Sequence, residues 1–250
     1  MIQQTEQKRT AGFLTDKKVV ILGGSSGIGL ATAQAAAAEG AQVILVSKNP
    51  ARIDAALREL PAGNTGLAVD LTDEAATRAL FSQLGSFDHL VYTAGESLQL
   101  NRIAETVVDD ARAFFNLRYW GAFTTVKYAA PHLNPGGSIV LTGGIASPRP
   151  GVGWSLGASI CAAMEGFTRA MAVELAPIRV NLVAPGVVRT NLWSNLAETE
   201  REALYAQVGN NLLVKRVGEA DDLAQTYVYL MRQSFGTGQV LVVDGGAVLV

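Results

Sequence analysis

The chain has a single cysteine among its 250 residues, so it cannot build an internal disulfide framework. It also has no run that approaches the roughly 20 apolar residues needed to span a bilayer. Neither sign of charge dominates, because 20 basic side chains stand against 22 acidic ones. This balance gives no indication of a nucleic-acid or membrane surface as partner. The single cysteine suits a reducing cytoplasm, and we expect no metal site.

The chain also lacks low-complexity linkers and internal repeats. Its length suits one large hydrophobic core better than two, so we expect a single domain over residues 1–250. Residues 1–12 are polar, contain Lys8 and Arg9, and have no continuous apolar stretch of the kind that marks a signal peptide. We expect this segment to be a loose tail.

Apolar, β-branched runs alternate with Ala-rich segments along nearly the whole chain. Such runs are typical of buried strands in a parallel sheet that helices cover on both faces. The predicted strands are 19–22, 43–46, 66–69, 89–92, 138–141, 180–183 and 240–243. Two of the helical segments are 28–39, which Gly40 ends, and 162–175. This alternation predicts an α/β fold with a doubly wound, Rossmann-type parallel sheet of about seven strands.

A glycine-rich segment, GGSSGIG at 23–29, directly follows the first predicted strand and opens the first helix. Its glycines permit a tight turn and close approach of the backbone to a pyrophosphate, and the helix N-terminus adds free N–H groups. A glycine-rich turn that binds nothing is the alternative. The predicted contacts to a dinucleotide are Gly23, Ser25, Ser26, Gly27, Ile28 and Gly29.

The choice of dinucleotide depends on the residues after the second predicted strand, which are Ser47, Lys48 and Asn49. An acidic residue there would hydrogen-bond the ribose 2′-hydroxyl of NAD(H) and repel a 2′-phosphate. This chain has no acid there and one cation, so NADP(H) is favoured over NAD(H). The alternative is that Lys48 is an ordinary solvated surface lysine.

From about residue 18 to the C-terminus the chain resembles the short-chain dehydrogenase/reductase family. The glycine-rich turn carries the resemblance, although Leu22 stands where threonine is usual, and five further segments follow in the family's order. They are Asp70-Leu71, the tetrapeptide 92–95 (which keeps only Ala94 and Gly95), Asn116 in 115–117, 185–190 and 244–246. The resemblance implies further cofactor contacts from Ser47, Lys48, Asp70, Leu71, Ala94, Gly95, Pro185, Gly186, Val188 and Thr190.

The family's acid–base residues are missing from the corresponding positions. The resemblance implies a serine, a tyrosine and a lysine four residues after the tyrosine. Counting back from 165–170 places Gly157 at the tyrosine, Cys161 at the lysine and Gly144 at the serine. No Tyr-x-x-x-Lys occurs anywhere in the chain, so no shift of register restores the pair. Of the four family positions only Asn116 is retained, as a weak catalytic candidate.

Several side chains near these positions are candidate substitutes, each with a structural alternative. Ser155, Ser159, Thr142 and Ser147 are of residue types that usually cap helices or stabilise turns. Cys161 would be a reactive thiol beside a helix N-terminus, or else a small buried residue. Arg149 and Arg189 would hold an anion or simply face solvent. Trp154 and Trp193 would wall a reshaped substrate pocket, or else belong to the core.

These observations leave three functional hypotheses. The first is an atypical NADP(H)-dependent oxidoreductase that transfers a hydride to or from a small carbonyl, imine or activated double bond. The alternative is a non-catalytic NADP(H)-binding sensor or scaffold subunit. A third is a non-redox enzyme that uses the shape of the emptied pocket. The resemblance also implies a homo-oligomer, a tetramer or a dimer, built through the helices at 110–132 and 157–176 and the segment 240–250.

Overall fold

The computed structural model describes residues 12–98 and 100–250, so the tail predicted for 1–12 lies outside the described residues except for Gly12. A seven-stranded sheet has the order β3-β2-β1-β4-β5-β6-β7, with every pair parallel. Its strands are β1 Lys18–Leu22, β2 Gln42–Ser47, β3 Thr65–Ala68, β4 Phe87–Tyr92, β5 Leu133–Thr142, β6 Arg179–Pro185 and β7 Val240–Val243. The predicted doubly wound sheet is confirmed, and each predicted apolar run supplies one strand.

Helices follow the strands as predicted. They are α1 Gly27–Ala38, α2 Pro50–Leu57, α3 Glu74–Leu84, α4 Val108–Phe115, α5 Ala122–Ala129, α6 Ser155–Glu174, α7 Glu198–Asn211 and α8 Ala220–Arg232. Gly40, at φ +90°, lies just beyond α1 in a backbone conformation that glycine adopts readily. A π-helical turn, Asn116–Gly121, joins α4 to α5. None of the described helices has the length and apolar character that a membrane crossing requires.

The sheet is apolar on both sides because alternate residues of its central strands enter different cores. Val19 and Ile21 of β1 pack with α1, α2 and α8, whereas Val20 and Leu22 pack with α3, α5 and α6. All four side chains are fully buried. Burial of a side chain of this size stabilises the fold by about 1.5–3 kcal/mol. A continuous apolar run is therefore what this position in the sheet requires.

The strand order reverses at β1, which has β2 on one side and β4 on the other. The chain builds β1, β2 and β3 outward in one direction and then crosses back to place β4 on the free side of β1. The chain segments that follow β1 and β4 consequently run in opposite directions, and they leave a crevice at the carboxyl ends of these two strands. The segments predicted to bind the dinucleotide follow β1, β2, β3, β4 and β6 and so reach this edge of the sheet.

Candidate active site

A cleft of about 1540 Å³ opens at the carboxyl edge of the sheet. The predicted cofactor contacts, the four positions assigned to the family's catalytic residues and the two predicted aromatic walls all line it. They are Gly23, Ser25, Ser26, Gly27, Ile28, Gly29, Ser47, Lys48, Asp70, Leu71, Ala94, Gly95, Asn116, Gly144, Trp154, Gly157, Cys161, Pro185, Gly186, Val188, Thr190 and Trp193. Segments far apart in sequence thus line one cleft, at the edge of the sheet where the strand order reverses.

The glycine-rich turn at one end of the cleft has no room for a side chain at Gly23 or Gly29. A Cβ on Gly23, whose φ is +83°, would lie 2.6 Å from the backbone nitrogen of Ala94. A Cβ on Gly29 would lie 2.3 Å from the carbonyl oxygen of Gly23. Ser26 precedes α1 but makes no side-chain cap bond. The first-turn N–H groups of α1 therefore remain available to an anion.

The next part of the wall carries a pair of opposite charges. The Lys48 ammonium lies 2.8 Å from the Asp70 carboxylate. Hydrogen bonds from Lys48 and then Thr72 lower the pKa of Asp70 to about 2. Beside this pair, the hydroxyls of Ser25 and Ser47 lie 2.8 Å apart and join the glycine-rich turn to the end of β2. Lys48 is mostly exposed, so its charge is accessible from the cleft.

The loop after β6 forms the opposite wall. Gly186 donates its N–H to the carbonyl of Val243 at 3.0 Å, and a Cβ on Gly186 would lie 2.8 Å from Cα of Asp244. The Pro185 carbonyl accepts a hydrogen bond from the N–H of Ile145 at 3.1 Å. The Thr190 hydroxyl accepts from the N–H of Leu192 at 3.3 Å and begins a short 3₁₀ helix. Asp244, of the 244–246 segment, thus helps to shape this loop.

Gly144, Gly157 and Cys161 lie together at the far end of the cleft. A Cβ on Gly144 would lie 3.2 Å from Sγ of Cys161, and one on Gly157 would lie 3.4 Å from the Trp154 ring. Cys161 is buried in α6, and its burial raises the pKa of the thiol to about 11. A thiol with that pKa is a poor nucleophile, which favours the interpretation of Cys161 as a small buried helix residue.

Other predicted candidates have structural partners. The Thr142 hydroxyl donates to the Tyr92 carbonyl and accepts from Tyr227, both at 2.6 Å. Arg189 pairs with Glu202 through Nη1 at 2.7 and 2.8 Å. These contacts are consistent with structural roles for Thr142 and Arg189. Ser155 and Ser159 are exposed on α6, and Arg149 is exposed at the rim of the cleft.

The two predicted aromatic walls differ in burial. Trp154 is half-buried beside Gly157 and faces the cleft. Trp193 is only 6% exposed, donates its indole N–H to the Val188 carbonyl at 3.2 Å and packs with Tyr205. Most of the Trp193 side chain is therefore buried against the core, and only one edge of its ring reaches the cleft.

Comparisons with known proteins agree with this architecture. A family profile described as enoyl-(acyl carrier protein) reductase matches residues 23–248. A short-chain dehydrogenase/reductase of Acremonium sp is 34% identical, over 96% of this chain and 98% of that protein. The chain belongs to the short-chain dehydrogenase/reductase family. Its members are oxidoreductases, and the resemblance read from the motifs is confirmed at this level.

Two solved structures of the family are similar over nearly their whole length. A small-chain dehydrogenase in complex with NADPH has 34% identity and a TM-score of 0.83, with 94% of this chain and 99% of that chain covered. The MalC reductase/Diels-Alderase from Malbranchea aurantiaca has 27% identity and a TM-score of 0.88, with 97% and 100% covered.

In this short-chain dehydrogenase/reductase, Asn116 begins the π-helical turn and is exposed toward the cleft. Its side chain makes no hydrogen bond with the part of the chain that the structure describes. Single π-helical turns occur frequently at functional sites. Within residues 12–98 and 100–250, no group of three or more acidic, histidine or cysteine side chains is arranged to hold a metal ion.

Sequence reasoning missed a second residue of the same turn. The guanidinium of Arg118 enters the cleft beside Gly95, where a Cβ on Gly95 would lie 2.9 Å from Nη1. Arg118 is two residues from Asn116, a separation at which side chains of an ordinary helix point in different directions. The π-helical turn changes the side-chain directions so that Asn116 and Arg118 both face the cleft. The sequence pattern contains no signal of such a turn.

Proposed function

We propose that the chain is an NADP(H)-dependent oxidoreductase that transfers a hydride to or from a small organic substrate without the family's Ser-Tyr-Lys acid–base residues. The observation that carries this proposal is the convergence of Gly144, Gly157 and Cys161 in one region of the cleft. Two of these positions have no side chain, and the third has a thiol whose pKa is about 11. None supplies a proton donor matched to neutral pH.

The cofactor end of the cleft fits a dinucleotide. At Gly23 and Gly29 in the turn at 23–29 a Cβ would collide with neighbouring backbone, so only glycine fits, and the free N–H groups of α1 suit a pyrophosphate. The absence of an acid after β2 and the exposed cation of Lys48 suit a 2′-phosphate. The NADPH complex of a 34%-identical relative supports the prediction of NADP(H) over NAD(H). We assign the predicted cofactor contacts to this ligand.

Bound NADPH would supply the hydride, and the residues at the far end of the cleft would position its acceptor. Trp154, Ile160 and Phe114 make this end largely apolar. An iminium ion accepts a hydride and becomes a neutral amine without any proton. A carbonyl or an activated double bond requires a proton, which water or an acidic group of the substrate would provide. Imines that are already protonated or alkylated to iminium ions are therefore the substrates whose reduction needs nothing that these side chains lack.

The experiment is isothermal titration of the protein with NADPH and NADH, followed by absorbance at the reduced nicotinamide band with panels of ketones, imines and enones. Tight NADPH binding and oxidation with imines ahead of ketones is the expected result. Tight binding without oxidation by any panel would overturn the oxidoreductase proposal in favour of a sensor or scaffold subunit. Failure to bind either nucleotide would overturn the assignment of the cofactor contacts.

A second candidate function is catalysis of a cycloaddition by the shape of the pocket. It is favoured by one observation, the 27% identity and whole-length structural similarity to a protein described as a reductase/Diels-Alderase. An apolar cleft that lacks side chains at Gly144 and Gly157 can enclose two reacting parts of one molecule. Product formation from a tethered diene and dienophile, without net NADPH oxidation, would establish this activity.

We also propose a single-domain homotetramer, or else a homodimer, in the cytoplasm. Exposed aromatic side chains on α5 and the preceding turn support association through these helices, since Trp120 is 54% exposed and its ring centroid lies 5.9 Å from that of Phe123. Large exposed apolar patches commonly mark interfaces.

Light scattering should give a mass of about four chains, or two, and a mass of one chain would contradict the proposal. The cytoplasmic location stays a prediction from the single cysteine.

A further inference from the structure

Arg118 occupies the part of the cleft where the assigned acid–base positions have no charged side chain. Its guanidinium enters beside Gly95 at the end of β4 and lies close enough to Cys161 to oppose the rise in the pKa of that thiol. On another side, its central carbon lies 5.1 Å from the centroid of the Phe114 ring. A cation therefore lies beside the position assigned to the family's lysine, but it comes from a different element of the fold.

The backbone that carries Arg118 is firmly held. The Tyr92 hydroxyl donates to the Leu117 carbonyl at 2.6 Å, inside the π-helical turn. At Gly121, the end of this turn, a Cβ would lie 2.6 Å from the same hydroxyl oxygen. Tyr92 is itself buried at the end of β4. The direction of the Arg118 side chain is thus set by a buried hydrogen bond and close packing.

The Arg118 guanidinium has fewer hydrogen-bond acceptors around it than it has N–H donors. Nη2 donates to the backbone carbonyl of Glu96. Nε is buried and has no hydrogen-bond partner among residues 12–98 and 100–250. Within those residues no carboxylate lies within 4 Å of Arg118, whereas Lys48, another cation that lines the cleft, has one. Burial lowers the pKa of Arg118, yet a guanidinium remains charged at any physiological pH.

A half-buried guanidinium with an unpartnered buried Nε and no carboxylate within 4 Å is unfavourable unless a ligand completes it. The planar guanidinium fits a carboxylate especially well, because two N–H groups can contact both of its oxygens. The surrounding wall is apolar, with Phe114, Ala146, Trp154 and Ile160 in one cluster. A ligand that matches both features is mainly apolar and carries one carboxylate.

We propose that Arg118 is the substrate-anchoring residue of this cleft and that the substrate is an apolar molecule bearing a carboxylate. This inference rests on the proposed function, since it names the substrate class of the same cleft. The carboxylate pairs with the guanidinium, and the apolar body lies against the aromatic and aliphatic wall. Arg118 binds and orients the substrate but donates no proton, because its pKa is far above neutrality.

The test compares two probes of nearly equal shape, 2-naphthoate and 2-naphthamide, titrated calorimetrically into the protein saturated with NADP⁺. The naphthoate should bind at least about tenfold more tightly than the amide, which corresponds to one charge-assisted hydrogen bond. Arg118→Met should abolish this preference, whereas Arg118→Lys should keep part of it. Arg169→Met, which removes an exposed arginine of α6 paired with Glu165, should leave the preference unchanged.

Three results would overturn the proposal. Equal binding of acid and amide to the wild-type protein would exclude an anion site, and this measurement needs no variant. Loss of the preference in Arg149→Met but not in Arg118→Met would move the site to the rim. If Arg118→Lys weakens NADPH binding by the same factor as naphthoate binding, Arg118 contacts the cofactor and not the substrate. Since both probes are inert to hydride transfer, these results do not depend on whether the chain reduces any substrate.

Discussion

The Lys48 ammonium and the Asp70 carboxylate, which lie 2.8 Å apart, link the ends of two neighbouring parallel strands. Lys48 follows β2 and Asp70 follows β3, so the pair forms only when the sheet does. The ion pair holds the Lys48 cation at the edge of the cleft where a dinucleotide's ribose is expected. Thr72 contributes a further hydrogen bond to Asp70. The hydrogen bonds from Lys48 and then Thr72 lower the pKa of Asp70, so the carboxylate stays ionised down to a pH of about 2.

Replacement of Lys48 should therefore change the choice between the two nicotinamide cofactors. We expect Lys48→Gln to weaken NADPH binding by about 10- to 100-fold, the usual contribution of a hydrogen bond to a charged group. NADH, which has no 2′-phosphate, should bind about as before. Isothermal titration with both nucleotides measures the effect. Lys127→Gln is the matched control, because Lys127 also pairs with a carboxylate, Glu74, but lies outside the cleft. Equal weakening of NADPH and NADH would contradict the assignment.

Two helical glycines should respond in opposite ways to the same substitution. A Cβ on Gly29 would lie 2.3 Å from a backbone oxygen, so Gly29→Ala must displace the glycine-rich turn. We expect a loss of about 1–3 kcal/mol in the free energy of unfolding and a clear fall in NADPH affinity. A Cβ on Gly166, in the middle of α6, would have no atom within 4 Å. Gly166→Ala should stabilise the protein by about 0.5–1 kcal/mol.

Urea denaturation and NADPH titration measure both variants. A Gly29→Ala protein that binds NADPH like the wild type would show that the turn can relax without cost. It would also remove the main reason for assigning the pyrophosphate to this turn. Gly166→Ala should leave NADPH affinity unchanged, because its position faces away from the cleft.

Local patterns in the sequence were sufficient to predict the sheet and to select segments that line the cleft. Runs such as 19–22 are apolar at every position, and only a strand with helices on both faces buries them all. The turn at 23–29 could be interpreted because its glycines follow a strand directly. The start of α6 was less clear: the apolar pattern indicates a helix from 162, whereas it begins at Ser155. Gly157 and Ser159 weaken the helical pattern there, and tertiary packing overrides it.

The polar contacts of the site could not be predicted in the same way, because they depend on distant segments. Lys48 and Asp70 are paired only through the register of β2 and β3. Trp193 is buried because α7 brings Tyr205 against it. The direction of Arg118 depends on a π-helical turn held by Tyr92, which belongs to a different strand. None of these relationships leaves a periodic signal in the sequence.

His89 should make the stability of the protein depend on pH. It is buried on β4, with Nδ1 2.9 Å from the Ser138 hydroxyl on β5, and burial lowers its pKa to about 4. Between about pH 6.5 and pH 4 the unfolded chain binds a proton that the folded chain does not. The free energy of unfolding should therefore fall as the pH falls through this window, by up to about 3 kcal/mol.

Urea denaturation at pH 7 and pH 4.5 measures this loss, and a histidine variant isolates its source. His89→Asn retains a group that can hydrogen-bond Ser138 but does not titrate, so its loss between the two pH values should be smaller than that of the wild type. His132→Asn removes the chain's other histidine and should behave like the wild type. Identical pH dependence in the wild type and His89→Asn would contradict the assignment of the loss to His89.

Cys161 should be nearly inert in the folded protein. Burial raises the pKa of its thiol to about 11, and the smaller opposing effects of Arg118 and of the Ala146 and Ser147 backbone do not overcome it. At pH 8 only about one thiol in a thousand would then be ionised, and the thiolate is the reacting species. We expect reaction with Ellman's reagent at least about 100-fold slower than in 6 M guanidinium chloride. The chain has one cysteine, so the signal reports this thiol alone. Comparable rates in the two conditions would instead identify a reactive thiol in the cleft. Cys161→Ala would then be expected to abolish turnover, whereas an inert Cys161 predicts that this variant keeps it.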